Sequence, residues 1–344
     1  MNKLTKIGTS ALCGSLAAIA SANAGSLSVS GGADLSWASV EKVVTGNPIG
    51  MGSNMTFTGT GELDNGTAFT LSLAHTNQAA YSSGNVTLDM PSLGSLIITQ
   101  GGSGTGIDRL DDMMPTAWEE TWGTAVGTGI RTVGGVSGAA GFEWTPSSDM
   151  LPEGLTARFA LSPRASGSNI NDKGLGGDTA GVGGGYDIVV THSGLMDGLS
   201  VGVGMSTIEQ EKNSESTANL TSGDRSQYAA YVTYTVGSVT LGYQETRDNI
   251  QSTGAGAVSY YDNEAYGISF NVNDDLSISY GSHKSTAHKN NSSSVELTAD
   301  SVQIAYSMGG ASIRLAETSA DNISYTSATV NDRDGTTLSL SLAF

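Results

Sequence analysis

The chain has almost no cysteine. Cys13 is the only one, and it falls in an N-terminal segment that reads as a leader. A secreted protein without disulfides must hold together by backbone pairing or by a core. Basic charge is also scarce, with 15 Lys+Arg against 33 Asp+Glu and a formal net charge of −18. Such a balance argues against nucleic acid as a partner. Hydrophobic residues make up only 38% of the chain, too few for an ordinary soluble core of this length. Proline is rare at 6 residues, while glycine reaches 47. That composition leaves two possibilities, disorder or strands that are apolar on one face only.

Residues 1–24 carry the marks of a secretory signal peptide. Lys3 and Lys6 form a charged start, a short apolar-to-small run follows through Ala20, and Ala22-Asn23-Ala24 is an A-x-A cleavage site. The apolar part is too short to cross a bilayer, which takes about 20 residues. Cleavage is expected after Ala24, leaving residues 25–344 as one domain. Loss of the two leader lysines makes the remainder still more acidic.

Periodicity decides against disorder. Apolar residues fall on alternate positions repeatedly: Leu27, Val29, Leu35 and Trp37; Phe69, Leu71 and Leu73; Leu155, Ala157, Phe159 and Leu161; Tyr228, Ala230, Val232 and Tyr234; Leu338, Leu340 and Leu342. Each such run predicts a strand with one apolar and one polar face. No helical period of useful length appears after residue 24. The connectors alternate in length as well. Short ones lie near 64–67, 90–94, 145–154, 192–198, 236–238, 272–276 and 308–311. Longer polar ones lie near 39–52, 76–84, 101–126, 163–179, 207–224, 247–262, 285–298 and 318–334. Fifteen connectors join sixteen strands, and short turns on one side with long loops on the other is the pattern of an outer-membrane barrel. Closure of the sheet pairs every backbone N–H and C=O, as lipid demands. The predicted fold is therefore all-β, a sixteen-stranded antiparallel transmembrane β-barrel.

The third long connector, 101–126, lacks alternation altogether and carries Asp108, Asp111, Asp112, Glu119 and Glu120 against Arg109. An unstructured connector of more than about 15 residues is usually functional. The expectation is a third extracellular loop folded inward to narrow the barrel mouth, where crowded carboxylates raise the local cation concentration. A merely solvated acidic loop is the competing view. Strand phase nominates Arg158, between Ala157 and Phe159, and Arg314, between Ile313 and Leu315, for the opposite wall. A charge on the lipid face near the midplane costs about 2–4 kcal/mol. Arg131 follows the loop and is a third candidate, while Arg225 reads as a rim charge. Polar-phase acids Asp34, Glu62, Asp89, Glu143 and Asp187 outnumber these bases, so a preference for cations is expected.

Other chemistries fit less well. Asp108, Asp111 and Asp112 offer the clustered carboxylates that a hard cation takes, so a structural calcium ion stays open, although no complete calcium loop is spelled out. No other cofactor is expected. Gly198-Leu199-Ser200-Val201-Gly202 matches a hydrolase pattern, but that motif needs a strand–turn–helix elbow, and here it opens an alternating strand. His283 and His288 are expected at a strand end or in a loop, and the chain does not read as an enzyme.

A leader, sixteen amphipathic strands, an acidic third loop and a last strand TLSLSLAF ending on Phe344 together resemble the general diffusion porins of Gram-negative bacteria. The resemblance spans the whole predicted mature chain and rests on patterns rather than invariant residues. It implies a homotrimer in the outer membrane, in contact with the bilayer and lipopolysaccharide. It implies passage of small polar solutes, an acidic loop edge facing basic wall residues, and a C-terminal strand read by the barrel-assembly machinery. A secreted acidic β-rich adhesin or surface protein without a pore is the alternative. It leaves the connector rhythm and the terminal aromatic unexplained.

Overall fold

Alternation of apolar and polar side chains is sustained as extended backbone in the computed structural model, which describes residues 25–43, 46–77, 82–102, 104–167, 181–210 and 221–343. The expected leader and the terminal Phe344 lie outside these residues. The first half supplies β1 (Leu27–Val40), β2 (Ile49–Glu62), β3 (Ala68–Thr76), β4 (Ser83–Met90), β5 (Gly94–Gln100), β6 (Ala140–Thr145), β7 (Leu155–Ser162) and β8 (Val182–Ser193). The second half supplies β9 (Leu199–Gln210), β10 (Arg225–Val236), β11 (Val239–Asn249), β12 (Val258–Asn271), β13 (Leu276–Lys289), β14 (Val295–Met308), β15 (Ala311–Asp321) and β16 (Arg333–Ala343). Each strand pairs with its sequence neighbours, and β1 closes on β16, giving an antiparallel barrel with no free edge. Closure satisfies the backbone in lipid, where an open edge would leave unpaired groups.

Register keeps like with like around the circumference. Leu35 stands opposite Met51 on one side and Leu340 on the other, and Ile304 stands between Ile278 and Leu315. The large apolar residues therefore form one continuous exposed face, which meets lipid. The alternate phase is small or polar, as in Ser301 and Gln303 on β14 and Thr337 and Ser339 on β16, all of them buried. Among the described residues helix is confined to 3-10 turns of three to five residues, the longest at Gly106–Leu110.

Three details depart from the sequence expectation. The irregular third connector does not end at 126 but runs from 101 to 139, with β6 starting at Ala140. Several strands of the second half are longer than their apolar runs, so the connectors read at 247–262 and 285–298 shrink to 250–257 and 290–294. His283 consequently sits inside β13, while His288 lies at its end. The cause is physical. Beyond Tyr280 the exposed phase of β13 turns to Ser282, Lys284, Thr286 and His288, so pairing continues where apolar alternation has stopped.

Tyrosines mark that change. The hydroxyls of Tyr243 and Tyr266 meet the carboxylates of Glu245 and Glu264, and Tyr280 donates to Asp300 at 2.8 Å. An amphipathic ring with a wet tip suits a membrane–water interface.

Candidate functional site

Segment 101–139 lies along the small, polar face of the sheet, held almost entirely through its own backbone. Going out, Gly106 N–H donates to Glu143 on β6 at 2.6 Å and Ile107 N–H to Asp187 on β8 at 3.0 Å. Met113 N–H reaches Gln244 on β11, and Ala117 N–H reaches Ser279 on β13, both at 2.9 Å. Trp118 and Glu119 N–H both donate to Gln303 on β14, at 3.2 and 2.9 Å. Ala125 N–H finds Thr337 on β16 at 3.2 Å. The chain then returns. Arg131 N–H donates to the Tyr325 hydroxyl at 2.9 Å, and the Arg131 carbonyl accepts from Asn263 on β12 at 2.9 Å. Gly134 and Gly135 N–H share Gln227 on β10, and Val136 N–H comes back to Asp187 at 3.1 Å.

Three buried glutamines act as clamps, since one amide can accept and donate at once. Gln303 accepts two N–H groups and gives its own to the Glu119 carbonyl at 2.8 Å. Gln244 accepts from Met113 and donates to the Leu110 carbonyl at 2.6 Å. Gln227 accepts from the return limb alone. Room for the segment is made by glycine. A Cβ at Gly242 or Gly267 would stand 2.5 or 2.8 Å from the Pro115 ring, and one at Gly281 would stand 2.2 Å from the Thr121 hydroxyl. Where both limbs cross β8–β10, Ile107, Leu110 and Val133 bury themselves against Val189, Ala229 and Tyr231.

The five loop acids fall into two groups. Asp108 is structural. Its carboxylate accepts from Gly104 N–H at 2.6 Å and from the Ser137 hydroxyl at 3.0 Å, tying the two limbs together. Asp111, Asp112 and Glu119 each lie within electrostatic reach of Glu120. Burial, then the charge of Asp108, pushes Asp111 up to about 6. Burial pushes Asp112 up to about 7, with Glu120 adding to it. Glu119 rises to about 8 through burial and its hydrogen bond and charge contact with Glu120. Among the described residues no group of three or more His, Cys, Asp or Glu is placed to hold a metal ion.

The candidate bases are dispersed. Arg314 on β15 pairs with Asp34 on β1 at 3.5 Å, and its guanidinium lies 5.9 Å from the centre of the Trp118 ring. Arg158 on β7 shares the polar phase, within reach of Arg109 and Glu143. Arg131 lies on no strand; it belongs to the return limb, beside Tyr261 and Tyr325. Arg225 is more than a rim charge, because it grips the buried Asp248 through two bonds of 2.8 and 2.6 Å. Besides Asp34, two more of the five polar-phase acids are committed: Glu143 pairs with Arg109 at 2.6 Å, and Asp187 caps both limbs. Ser200 sits within β9, its hydroxyl 3.1 Å from that of Tyr231, with no elbow around it.

The glutamine clamps and the glycine track were not singled out from sequence. The available signal was a long amide in a strand phase otherwise filled by Ser, Thr, Gly and Ala.

A family model described as Gram-negative porin matches residues 8–344. Among curated proteins no sequence match was found. Similar solved structures include OmpT of Vibrio cholerae in its trimer form, with a TM-score of 0.66 at 10% identity over 94% of this chain and 100% of that one. A loop L8 deletion mutant of the same protein gives 0.66 at 12% identity, over 93% and 99%. The anion-selective porin from Comamonas acidovorans gives 0.64 at 13% identity, over 93% and 100%. At these identities the likeness speaks for the fold alone.

Proposed function

The chain belongs to the Gram-negative porin family of the outer membrane, and from that premise we propose that it forms a water-filled pore for passive diffusion of small hydrophilic solutes and ions. The pore is narrowed by segment 101–139 folded into the lumen. One observation carries this reading. The segment's backbone bonds to the polar face of strands from β6 round to β16 and returns to β8, so it shares the face opposite lipid. A sixteen-stranded barrel is wide enough to hold such a segment and still conduct.

Cation preference is part of the proposal. Asp111, Asp112, Glu119 and Glu120 form the charged edge, while Arg109 and Arg314 are offset by Glu143 and Asp34. Charge gathered at a constriction with low-dielectric walls selects by sign. The test is the reversal potential of the purified, refolded protein in a planar bilayer under a KCl gradient. A potential of cation sign is expected, and one of anion sign would refute the preference.

We read the assembly as a homotrimer, as in the trimer form of OmpT; conductance steps in threes support it, and single steps oppose it. Lipopolysaccharide is the expected neighbour beyond the tyrosine level, where Glu245, Arg247, Glu264, Lys284 and Asp300 share the lipid-side phase. Leu338, Leu340 and Leu342 lie on the lipid side of β16, which suits recognition by the assembly machinery.

A further inference from the structure

Between β3–β5 and the loop's first residues lies a pocket in a different chemical key from the acidic edge. It measures about 370 Å³ and is lined by Thr76, Ser83, Asn85, Thr99 and Thr105, together with Arg109. Among the described residues no carboxylate lines it. In a chain of net charge −18 this is a local exception. It rests on the pore reading above, because the pocket matters to transport only if it faces the lumen.

Arg109 is built to present itself. Its Nε and Nη2 fork onto Glu143 at 3.2 and 2.6 Å, and Glu143 is itself fully buried and fixed by the Gly106 N–H. The fork leaves the Nη1 corner over, and the side chain stays 31% exposed. Glu143 offsets one positive charge, but Arg158 lies within electrostatic reach of the same pair, so the trio carries a net positive charge. A guanidinium orients a carboxylate or phosphate through its planar donors, and a pre-set one loses little entropy in doing so. Around it, hydroxyl and amide groups can both donate and accept, which is what a polyhydroxylated solute requires. Ser83 and Asn85 are spared from anchoring the loop. The acidic edge opposes free anions less than its residue count suggests, since around neutral pH Asp112 is near half-protonation and Glu119 is mostly protonated.

We propose that this pocket is a subsite for the oxyanion end of a small hydroxylated acid, held by Arg109 and the Thr–Ser–Asn wall during passage. Such a site slows one class of solute locally while the rest of the pore stays unselective. The probes are gluconate, inorganic phosphate and glucose, each added to one side of a single channel in a planar bilayer at low ionic strength. Gluconate should interrupt the current in a concentration-dependent way and glucose should not. Interruption by phosphate as well assigns recognition to the oxyanion alone; interruption by gluconate only assigns it to oxyanion and hydroxyls together, and either outcome supports the subsite.

Two variants probe the residues. Arg109→Lys keeps the charge and loses the fork, and Ser83→Ala with Asn85→Leu leaves every loop bond intact. Each should shorten gluconate residence about fivefold to tenfold. Gluconate acting no differently from glucose, or equal residence in wild type and both variants, overturns the subsite while ionic conductance persists. Absence of any conductance overturns the pore reading and the subsite with it.

Discussion

Removing the Gln303 clamp should loosen the tip of the loop without unfolding the barrel. Gln303→Leu preserves bulk on β14 but deletes its three bonds to the loop, those from Trp118 N–H, from Glu119 N–H and to the Glu119 carbonyl. A neutral hydrogen bond contributes about 1 kcal/mol net, so the tip loses roughly 3 kcal/mol of docking. Every 1.4 kcal/mol is tenfold, so the undocked fraction rises about a hundredfold. Neighbouring anchors at Ser279 and Thr337 bound the movement to residues 118–124. Single-channel recording reads the result as excess open-channel noise with brief excursions to higher conductance. Gln303→Glu sharpens the case. It keeps an acceptor, loses the donor and places a charge beside Glu119 and Glu120, so its noise should fall on acidification. If Gln303→Leu matches wild type in noise and conductance, the clamp does not position the tip.

Further outcomes follow from the same geometry. Cation preference should weaken as pH falls from about 9 to 5, since Glu119, Asp112 and Asp111 titrate near 8, 7 and 6; reversal potentials across that range check it. These carboxyls are raised in the folded state, so their contribution to stability is fully present below the ordinary carboxylate range and is lost as pH rises through 6–8. The heat-denaturation midpoint should accordingly be higher at pH 5 than at pH 9. Gly267→Leu drives a side chain into Pro115 and Met114, where even a Cβ comes within 2.8 Å, and should enlarge the step conductance. Asp248→Ala strands Arg225. Breaking a buried pair costs roughly 3–5 kcal/mol, and with Arg225 one-third exposed (34%) a loss of about 2–3 kcal/mol is expected in urea unfolding from lipid vesicles.

The barrel was legible because lipid imposes a rule on every strand. Alternation at Leu338, Leu340 and Leu342 or at Phe159 and Leu161 cannot be relaxed where one phase meets hydrocarbon. That rule lapses above the tyrosines, so the upper half of β13, with Lys284 and His288 outward and His283 inward, reads as loop although it is strand. Acidity of the third connector was visible, as was the break in periodicity at 101. Its return limb, 127–139, was not, because nothing local distinguishes a segment tied by Gln227 and Asn263 from one in solvent. Counting acids by phase also misled. Glu143 and Asp187 have the right phase to line a pore, yet they satisfy loop N–H groups instead.

Where the loop is held most stringently is the neck rather than the tip. Gly106 and Gly135 both have left-handed φ, 60° and 53°, and a Cβ on either would stand 2.0 or 2.1 Å from the Asp187 carboxylate. Only glycine meets both demands, the conformation and the approach. Gly135→Ala therefore costs about 1–2 kcal/mol in backbone strain before any clash is counted. The clash then displaces Asp187 from Val136 N–H on the return limb and from Ile107 N–H on the outgoing one. Both limbs lose a shared acceptor at once, whereas the Gln303 change frees only a few residues. The expected signature differs in kind: a persistently larger conductance and cleavage within 104–139 by added protease, rather than noise about an unchanged mean. Protease resistance and wild-type conductance in Gly135→Ala would show that the neck is not what holds the segment in place.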